Sequence, residues 1–279
     1  MQLHTIDTGF FKLDGGAMFG VVPKAIWNKT NPADENNLCT WAMRCLLIED
    51  GNRLILIDTG IGNKQDQKFF SHYYLHGDAT LDSSLVAKGF HRDDITDVFL
   101  THLHFDHVGG AVMRESDKLI PAFKNATYWS NEQHWDWAIN PNDREKASFL
   151  KENILPIQES GQLKFVDNID GTVFSDNVTV KFAYGHTDAM MLPLINFKGK
   201  QILYMADLLP STGHLPMPYV MAYDMFPLKT LTEKKIFLTE ALEKEYILYL
   251  EHDPINECCT LQQTEKGIRT KEIFNLNQL

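Results

Sequence analysis

The chain of 279 residues is 44% hydrophobic and 23% charged, and its 26 Lys plus Arg against 37 Asp plus Glu leave a net charge of −11. Such a composition supports a large apolar core and excludes a protein that works by neutralising nucleic-acid phosphates or anionic lipid, partners that select for clustered Lys and Arg. The N-terminal MQLHTIDTGFFKLDGG has no basic start followed by an apolar run, and no stretch of about 18 apolar residues follows it, so the expectation is a soluble, cytoplasmic protein with no nucleic-acid or membrane partner.

In chain order, residues 41–57 (WAMRCLLIEDGNRLILI) read as two apolar strands joined at Glu49-Asp50-Gly51-Asn52, a β-hairpin that stops at Asp58-Thr59-Gly60. Helical stretches are expected near Lys64–Leu75 and Ser83–Gly89, before the apolar run Val98-Phe99-Leu100 leads into Thr101-His102. Residues 131–162, rich in Trp, Asn and Glu, read as a partly helical insertion between two halves. The second half repeats the first: MMLPLINF, a turn at Lys198-Gly199-Lys200, QILYMA ending at Asp207, a helix near Thr232–Lys244, and YILYL ending at Glu251-His252. The separation of Asp58 from His102 differs by one residue from that of Asp207 from His252, which suggests two similar ββ…α…β halves. A single domain over residues 1–279 is expected, because no Pro-rich spacer or low-complexity tract marks a boundary. Cys39, Cys45, Cys258 and Cys259 have neither disulfide-framework nor zinc-pair spacing and read as buried free thiols.

The eleven histidines are the unusual feature, and their placement carries the chemistry. In Thr101-His102-Leu103-His104-Phe105-Asp106-His107-Val108-Gly109-Gly110, four potential metal ligands fall within six positions. Past a strand end, residues i and i+2 point the same way, so His102 and His104 can reach one ion while Asp106 and His107 turn toward a second. Gly109-Gly110 lets the backbone pass close to such a site. Two ions need more ligands, and three further apolar runs end on suitable ones: VTVKFAYG on His186, QILYMA on Asp207 and YILYL on His252.

In order, the elements ILIDTG, THLHFDHVGG, GHTDA, MADL and LEHD resemble the five motifs of the metallo-β-lactamase fold superfamily over about residues 41–253. That resemblance implies an α/β fold, a four-layer αββα sandwich of two similar halves, with two divalent metal ions. It places His102, His104 and His186 on one ion, Asp106, His107 and His252 on the other, and Asp207 between them. Asp58 is implied to be a carboxylate that orients ligands instead of binding metal. Mixed N and O donors without thiolate favour zinc and also suit iron, manganese or cobalt. The implied reaction is hydrolysis: a hydroxide bridging the ions attacks, and Asp106 or a metal-bound water manages the proton delivered to the leaving group.

Among branches of that superfamily, the pattern is closest to N-acyl homoserine lactone lactonases and methyl-parathion-hydrolase-like phosphotriesterases, on Lys12–Gly20 and on Ala206-Asp207-Leu208-Leu209-Pro210 through Tyr219 to Tyr223-Asp224. The expected substrate is accordingly a small hydrophobic lactone or ester. One departure stands out: some lactonases carry Tyr three residues after the Asp between the ions, where this chain has Pro210. Met18, Phe19, Trp27, Phe105, His214, Tyr219 and Tyr223 are candidate pocket residues. A thioesterase or phosphotriesterase of the same fold, and an iron-dependent sulfur dioxygenase, are the competing activities, and a homodimer is compatible with the sequence.

Overall fold

The computed structural model describes residues 1–279. In chain order the elements are β1 (Gln2–Asp14), α1 (Gly15–Phe19), α2 (Lys24–Trp27), β2 (Leu38–Asp50), β3 (Arg53–Ile57), α3 (Gln67–Ser71), α4 (Leu81–Ala87), β4 (Asp97–Phe99), α5 (Phe105–Val108), β5 (Val112–Glu115), β6 (Lys118–Pro121), β7 (Thr127–Ser130), α6 (Glu132–Ile139), α7 (Lys151–Glu159), β8 (Leu163–Phe165), β9 (Thr172–Ser175), β10 (Val178–Ala183), β11 (Met190–Phe197), β12 (Lys200–Tyr204), α8 (Pro227–Glu243), β13 (Ile247–Tyr249), β14 (Cys258–Thr264) and β15 (Gly267–Phe274). Met1–Gly9 with Met43–Thr172 form one compact unit, and Phe10–Ala42 with Val173–Leu279 form the other. No helix is long and apolar enough to cross a membrane.

The first unit is built on a six-stranded sheet in the order β1-β2-β3-β4-β7-β8. β2 and β3 form the expected antiparallel hairpin, closed by the Asp50–Arg53 pair, with Gly51 at φ 62 in the turn. β3, β4, β7 and β8 then run parallel. Parallel strands are covered on both faces, which is why RLILI and DVF read as near-continuous apolar runs. Leu54, Leu56, Val98, Leu100, Tyr128, Trp135 and Ile154 belong to one buried cluster in this unit, so residues from 131–162 pack into the same core as the sheet. Structurally, residues 131–162 carry α6 and α7 and connect the adjacent strands β7 and β8.

The second unit carries a seven-stranded sheet, β15-β14-β13-β12-β11-β10-β9. It repeats the hairpin-then-parallel arrangement: β11 and β12 pair antiparallel through Lys198-Gly199, both at positive φ, and β12 pairs in parallel with β13. In each unit, therefore, an Asp follows the second hairpin strand and a His follows its parallel neighbour. Strands leave a parallel sheet at their carboxyl ends, where side chains from separate strands can converge.

Some boundaries differ from the sequence expectation, each for a local reason. α4 begins at Leu81 because Thr80 and Ser83 form a reciprocal capping box. α3 is a short helix capped by Asp66 on the Phe69 amide, and covers only part of Lys64–Leu75. α8 starts at Pro227, a residue suited to a first helical position, several residues before Thr232. All four cysteines are buried and free, as expected.

Candidate metal centre

In the first unit, the chain leaves β4 through Thr101–His104 and enters the short helix α5, which carries Asp106 and His107. His102, His104, Asp106 and His107 are all buried. The His102 and His104 ring centroids lie 4.5 Å apart, and those of His102 and His107 3.9 Å. Each ring has one nitrogen committed to the surrounding protein. His104 Nε2 donates to Glu145 Oε1 at 2.9 Å, and His107 Nδ1 donates to Asp58 Oδ2 at 3.1 Å. Thr101 Oγ1 gives its proton to Asp58 Oδ2 at 2.6 Å and so accepts from His102 Nδ1 at 3.1 Å.

Those bonds fix the tautomers and leave lone pairs on His102 Nε2, His104 Nδ1 and His107 Nε2. His102 Nε2 and His104 Nδ1 face each other at 3.1 Å. Two lone pairs in that position repel unless a cation lies against both, and nitrogens sharing a tetrahedral zinc ion sit about 3.3 Å apart. The donor set thus fits a divalent metal. Asp106 Oδ2 is 3.7 Å from His107 Nε2 on the same side.

Two neighbouring segments hold this loop. Asp58 sits at φ 58, a left-handed conformation that Asp tolerates, and this turns its carboxylate back to accept from Thr101 N at 2.8 Å as well. Thr59 N donates to His107 O and Gly110 N to Gly60 O. A Cβ on Gly109 would lie 2.1 Å from Ile61 O, and one on Gly110 2.2 Å from Thr59 O, so both positions need glycine for close backbone approach. Buried Lys64 donates from Nζ to Gly109 O at the end of α5. On the other side, His134 Nε2 accepts from Leu103 N at 2.9 Å, Ser148 O accepts from Phe105 N, and Phe149 packs 4.9 Å from His104.

In the second unit the ligand candidates come from three strand ends: His186 after β10, Asp207 after β12 and His252 after β13. Asp207 directs Oδ2 to His186 Nε2 at 3.1 Å and Oδ1 to His252 Nε2 at 2.9 Å. Behind them, His186 Nδ1 donates to Asp224 Oδ1 at 2.9 Å and His252 Nδ1 to Ala42 O at 2.7 Å. Burial disfavours the charged form of His186, yet Asp207 and Asp224 at its two nitrogens outweigh it and raise its pKa to about 10. This position calls for a positive charge, which a proton or a metal ion can supply.

Of the candidate pocket residues, Met18 and Phe19 lie buried on α1, with Phe19 stacked 4.4 Å from His214 and 5.2 Å from Trp27. Tyr219 meets Phe19 edge-on at 6.0 Å, and Tyr223 is 38% exposed. His214 has both nitrogens engaged, Nε2 donating to Met18 O and Nδ1 accepting from Ser211 Oγ. Burial pushes its pKa down to about 3, so it is neutral. In the first unit, Phe105 packs against Tyr73 and Phe69.

Sequence reasoning missed Glu145, Asp224 and His134. Asp224 was visible as part of Tyr223-Asp224, but nothing local distinguishes a carboxylate that will hold a histidine from a solvated one. Glu145 and His134 carry no motif at all.

The sequence profile described as the Metallo-beta-lactamase superfamily matches residues 44–252, more than half of the chain. The chain belongs to this superfamily. Among solved structures, a "probable metal-dependent hydrolase" from Staphylococcus aureus shares 26% identity and a TM-score of 0.89, covering 100% of this chain and 98% of its own. AidC, a dizinc quorum-quenching lactonase solved with a product, N-hexanoyl-L-homoserine, shares 23% identity, with a TM-score of 0.80 and coverage of 98% and 95%. The hydrolase AbOPH shares 20%, with a TM-score of 0.79 and coverage of 98% and 94%. No curated protein sequence matches the chain. The expected α/β fold class, the αββα sandwich, is therefore the fold of this metallo-β-lactamase superfamily member, and membership implies divalent metal ions and supports hydrolytic activity.

Proposed function

We propose that the chain is a dinuclear metal-dependent hydrolase that opens lactones or cleaves esters of small hydrophobic substrates. His102, His104 and His186 hold one ion, Asp106, His107 and His252 hold the other, and Asp207 binds both. The observation that carries this reading is the Asp207 carboxylate, whose two oxygens each meet a different histidine, one at 3.1 Å and the other at 2.9 Å. A carboxylate serving a single ion has no need to divide its oxygens between two imidazoles.

When bound, two divalent cations polarise a substrate oxygen and make water acidic enough to supply hydroxide near neutral pH. The chain does the rest. Asp58, Glu145, Asp224 and the Ala42 carbonyl hold the far nitrogens of the ligating rings, so each ring is aimed before an ion arrives, and at His186 an ion would take the place of a proton. Asp106, turned toward His107, takes and returns the proton that the leaving group needs. Met18, Phe19 and Tyr219 supply apolar surface in the second unit and Phe105 supplies it in the first, while His214, neutral and fully engaged, fixes α1 without taking part in proton transfer. Zinc suits the donor set, and the likeness to AidC, a dizinc quorum-quenching lactonase, supports both parts of the reading.

The test is turnover by zinc-loaded protein on a panel of acyl homoserine lactones, aryl esters, a phosphotriester, a glutathione thioester and a β-lactam. Lactones or aryl esters should be the best substrates. Activity confined to the thioester, or a single iron with oxygen consumption on a persulfide, would overturn the assignment.

A further inference from the structure

Two consecutive ionisable residues on α8, Glu233 and Lys234, reach in different directions and bind backbone of opposite polarity. Glu233 accepts from Tyr184 N and Gly185 N through its two oxygens, each at 2.9 Å. Lys234 is 1% exposed, and its Nζ donates to His214 O, to Pro216 O at 2.8 Å and to Tyr219 O at 3.0 Å, with Met217 O at 3.4 Å.

The Lys234 arrangement is unusual chemistry for a buried lysine, because its partners are neutral carbonyls of one short loop. A buried ammonium is costly unless its three N–H groups are all used, and carbonyl oxygens grouped together repel unless a cation sits among them. Burial pulls the Lys234 pKa down to about 7, while the nearby Asp224 charge pulls it up. Accepting carbonyls on every N–H favour the charged form further. The loop that follows Asp207 is thus folded around an internal cation. Its start is tied by Asp253, next to His252, whose Oδ2 accepts from Thr212 N and Oγ1.

On the other side, the loop bearing His186 is met by the same stretch of chain. Phe226 N donates to Gly185 O, Met225 N to His186 O, and a Cβ on Gly185 would lie 2.3 Å from Thr230 N, so the first turn of α8 lies directly on this loop.

We propose that Glu233 and Lys234 are a pair of positioning residues, Glu233 fixing the loop that aims His186 and Lys234 fixing the loop 211–219 that presents Tyr219 to substrate. Neither touches the reacting atoms. The assignment rests on the reading of His186 as a ligand and of Tyr219 as a pocket residue, and hydrogen exchange tests the structural half of it independently.

The experiment compares Glu233→Gln, Lys234→Met and Lys234→Arg with wild type in the zinc-loaded protein, by amide hydrogen exchange, zinc affinity against a competing chelator, and KM and kcat on the best panel substrate. Glu233→Gln replaces one acceptor with a donor. It should speed exchange at Tyr184 and Gly185, lower zinc affinity by roughly 10- to 100-fold, and leave 211–219 unchanged. Lys234→Met should speed exchange across 211–219 by about tenfold or more and raise KM, with zinc affinity changed by less than about threefold. Lys234→Arg keeps a cation in the cage and should stay closer to wild type than Lys234→Met in both readouts, which mere packing of an aliphatic chain does not predict. Unchanged exchange in both Glu233→Gln and Lys234→Met, or the same segments loosened by either, overturns the pair. Exchange altered as expected with zinc affinity untouched in Glu233→Gln retains the loop contacts and instead removes His186 from the ligand set.

Discussion

The two units assemble their candidate metal ligands in contrasting ways. In the first, His102, His104, Asp106 and His107 occupy one loop and one turn of helix, so a single backbone conformation sets all four. In the second, His186, Asp207 and His252 sit at the ends of three strands, and the sheet register sets their spacing. Support differs in the same sense. The compact loop is held by Asp58 and by residues 134–149, whereas the dispersed ligands rely on Asp224, the Ala42 carbonyl and α8. A contiguous motif concentrates its risk in one loop, and a dispersed one depends on longer-range packing.

The largest effect that separates the two is expected at Asp207, the one carboxylate of the dispersed set and the residue that divides its oxygens between two histidines. Asp207→Ala should lower kcat/KM by roughly a thousandfold or more in steady-state assays, because both ions lose a shared ligand. A loss below about tenfold would mean that the second unit does not contribute to the chemistry in the way proposed.

Acid sensitivity should be weighted toward the second unit through His214. Unfolded chain protonates this histidine below about pH 6.5, but the folded protein does not until about pH 3. The unfolded state takes up the proton first, so stability is present above pH 6.5 and is lost as pH falls toward 3. Between pH 7 and 4.5 the contribution is about 2–3 kcal/mol, and urea denaturation of His214→Gln should show a pH dependence shallower by that amount.

The supporting carboxylates sharpen the contrast at a smaller scale. Asp58→Asn and Asp224→Asn should each weaken zinc binding by roughly 10- to 100-fold in chelator competition. The Asp58 change should be the larger, since this carboxylate accepts from Thr101 N, Thr101 Oγ1 and His107 Nδ1 and, through Thr101 Oγ1, also orients His102, while Asp224 orients one imidazole, that of His186, and otherwise bonds Thr230 on α8. Reversal of that order would show that the dispersed set is the more strained of the two. Tyr223→Ala, next to Asp224 but 38% exposed, should change stability by less than about 0.5 kcal/mol in denaturant titration. It tests whether the Asp224 effect comes from the carboxylate or from disturbing its segment.

The same contrast explains what could be read from sequence. His102 to His107 announce themselves by density within six positions, and the β3 and β13 runs announce themselves by burial on both faces. His186, Asp207 and His252 are individually ordinary and gain meaning from order and from their place after apolar runs. Glu145, His134, Asp224, Glu233 and Lys234 were not legible, because each acts on a residue 15 to 48 positions away and its role is created only when the chain folds. The segment 131–162 illustrates the point: its composition suggested an insertion, whereas its side chains and carbonyls hold His104 and the amides of Leu103 and Phe105.

The central claim is that ligands from both units serve two metal ions in one chain. Native mass spectrometry of zinc-titrated protein measures this directly. Two zinc ions per wild-type chain, falling to one or none in Asp207→Ala, is the predicted result; one ion per wild-type chain at saturation, with Asp207→Ala unchanged, would contradict it.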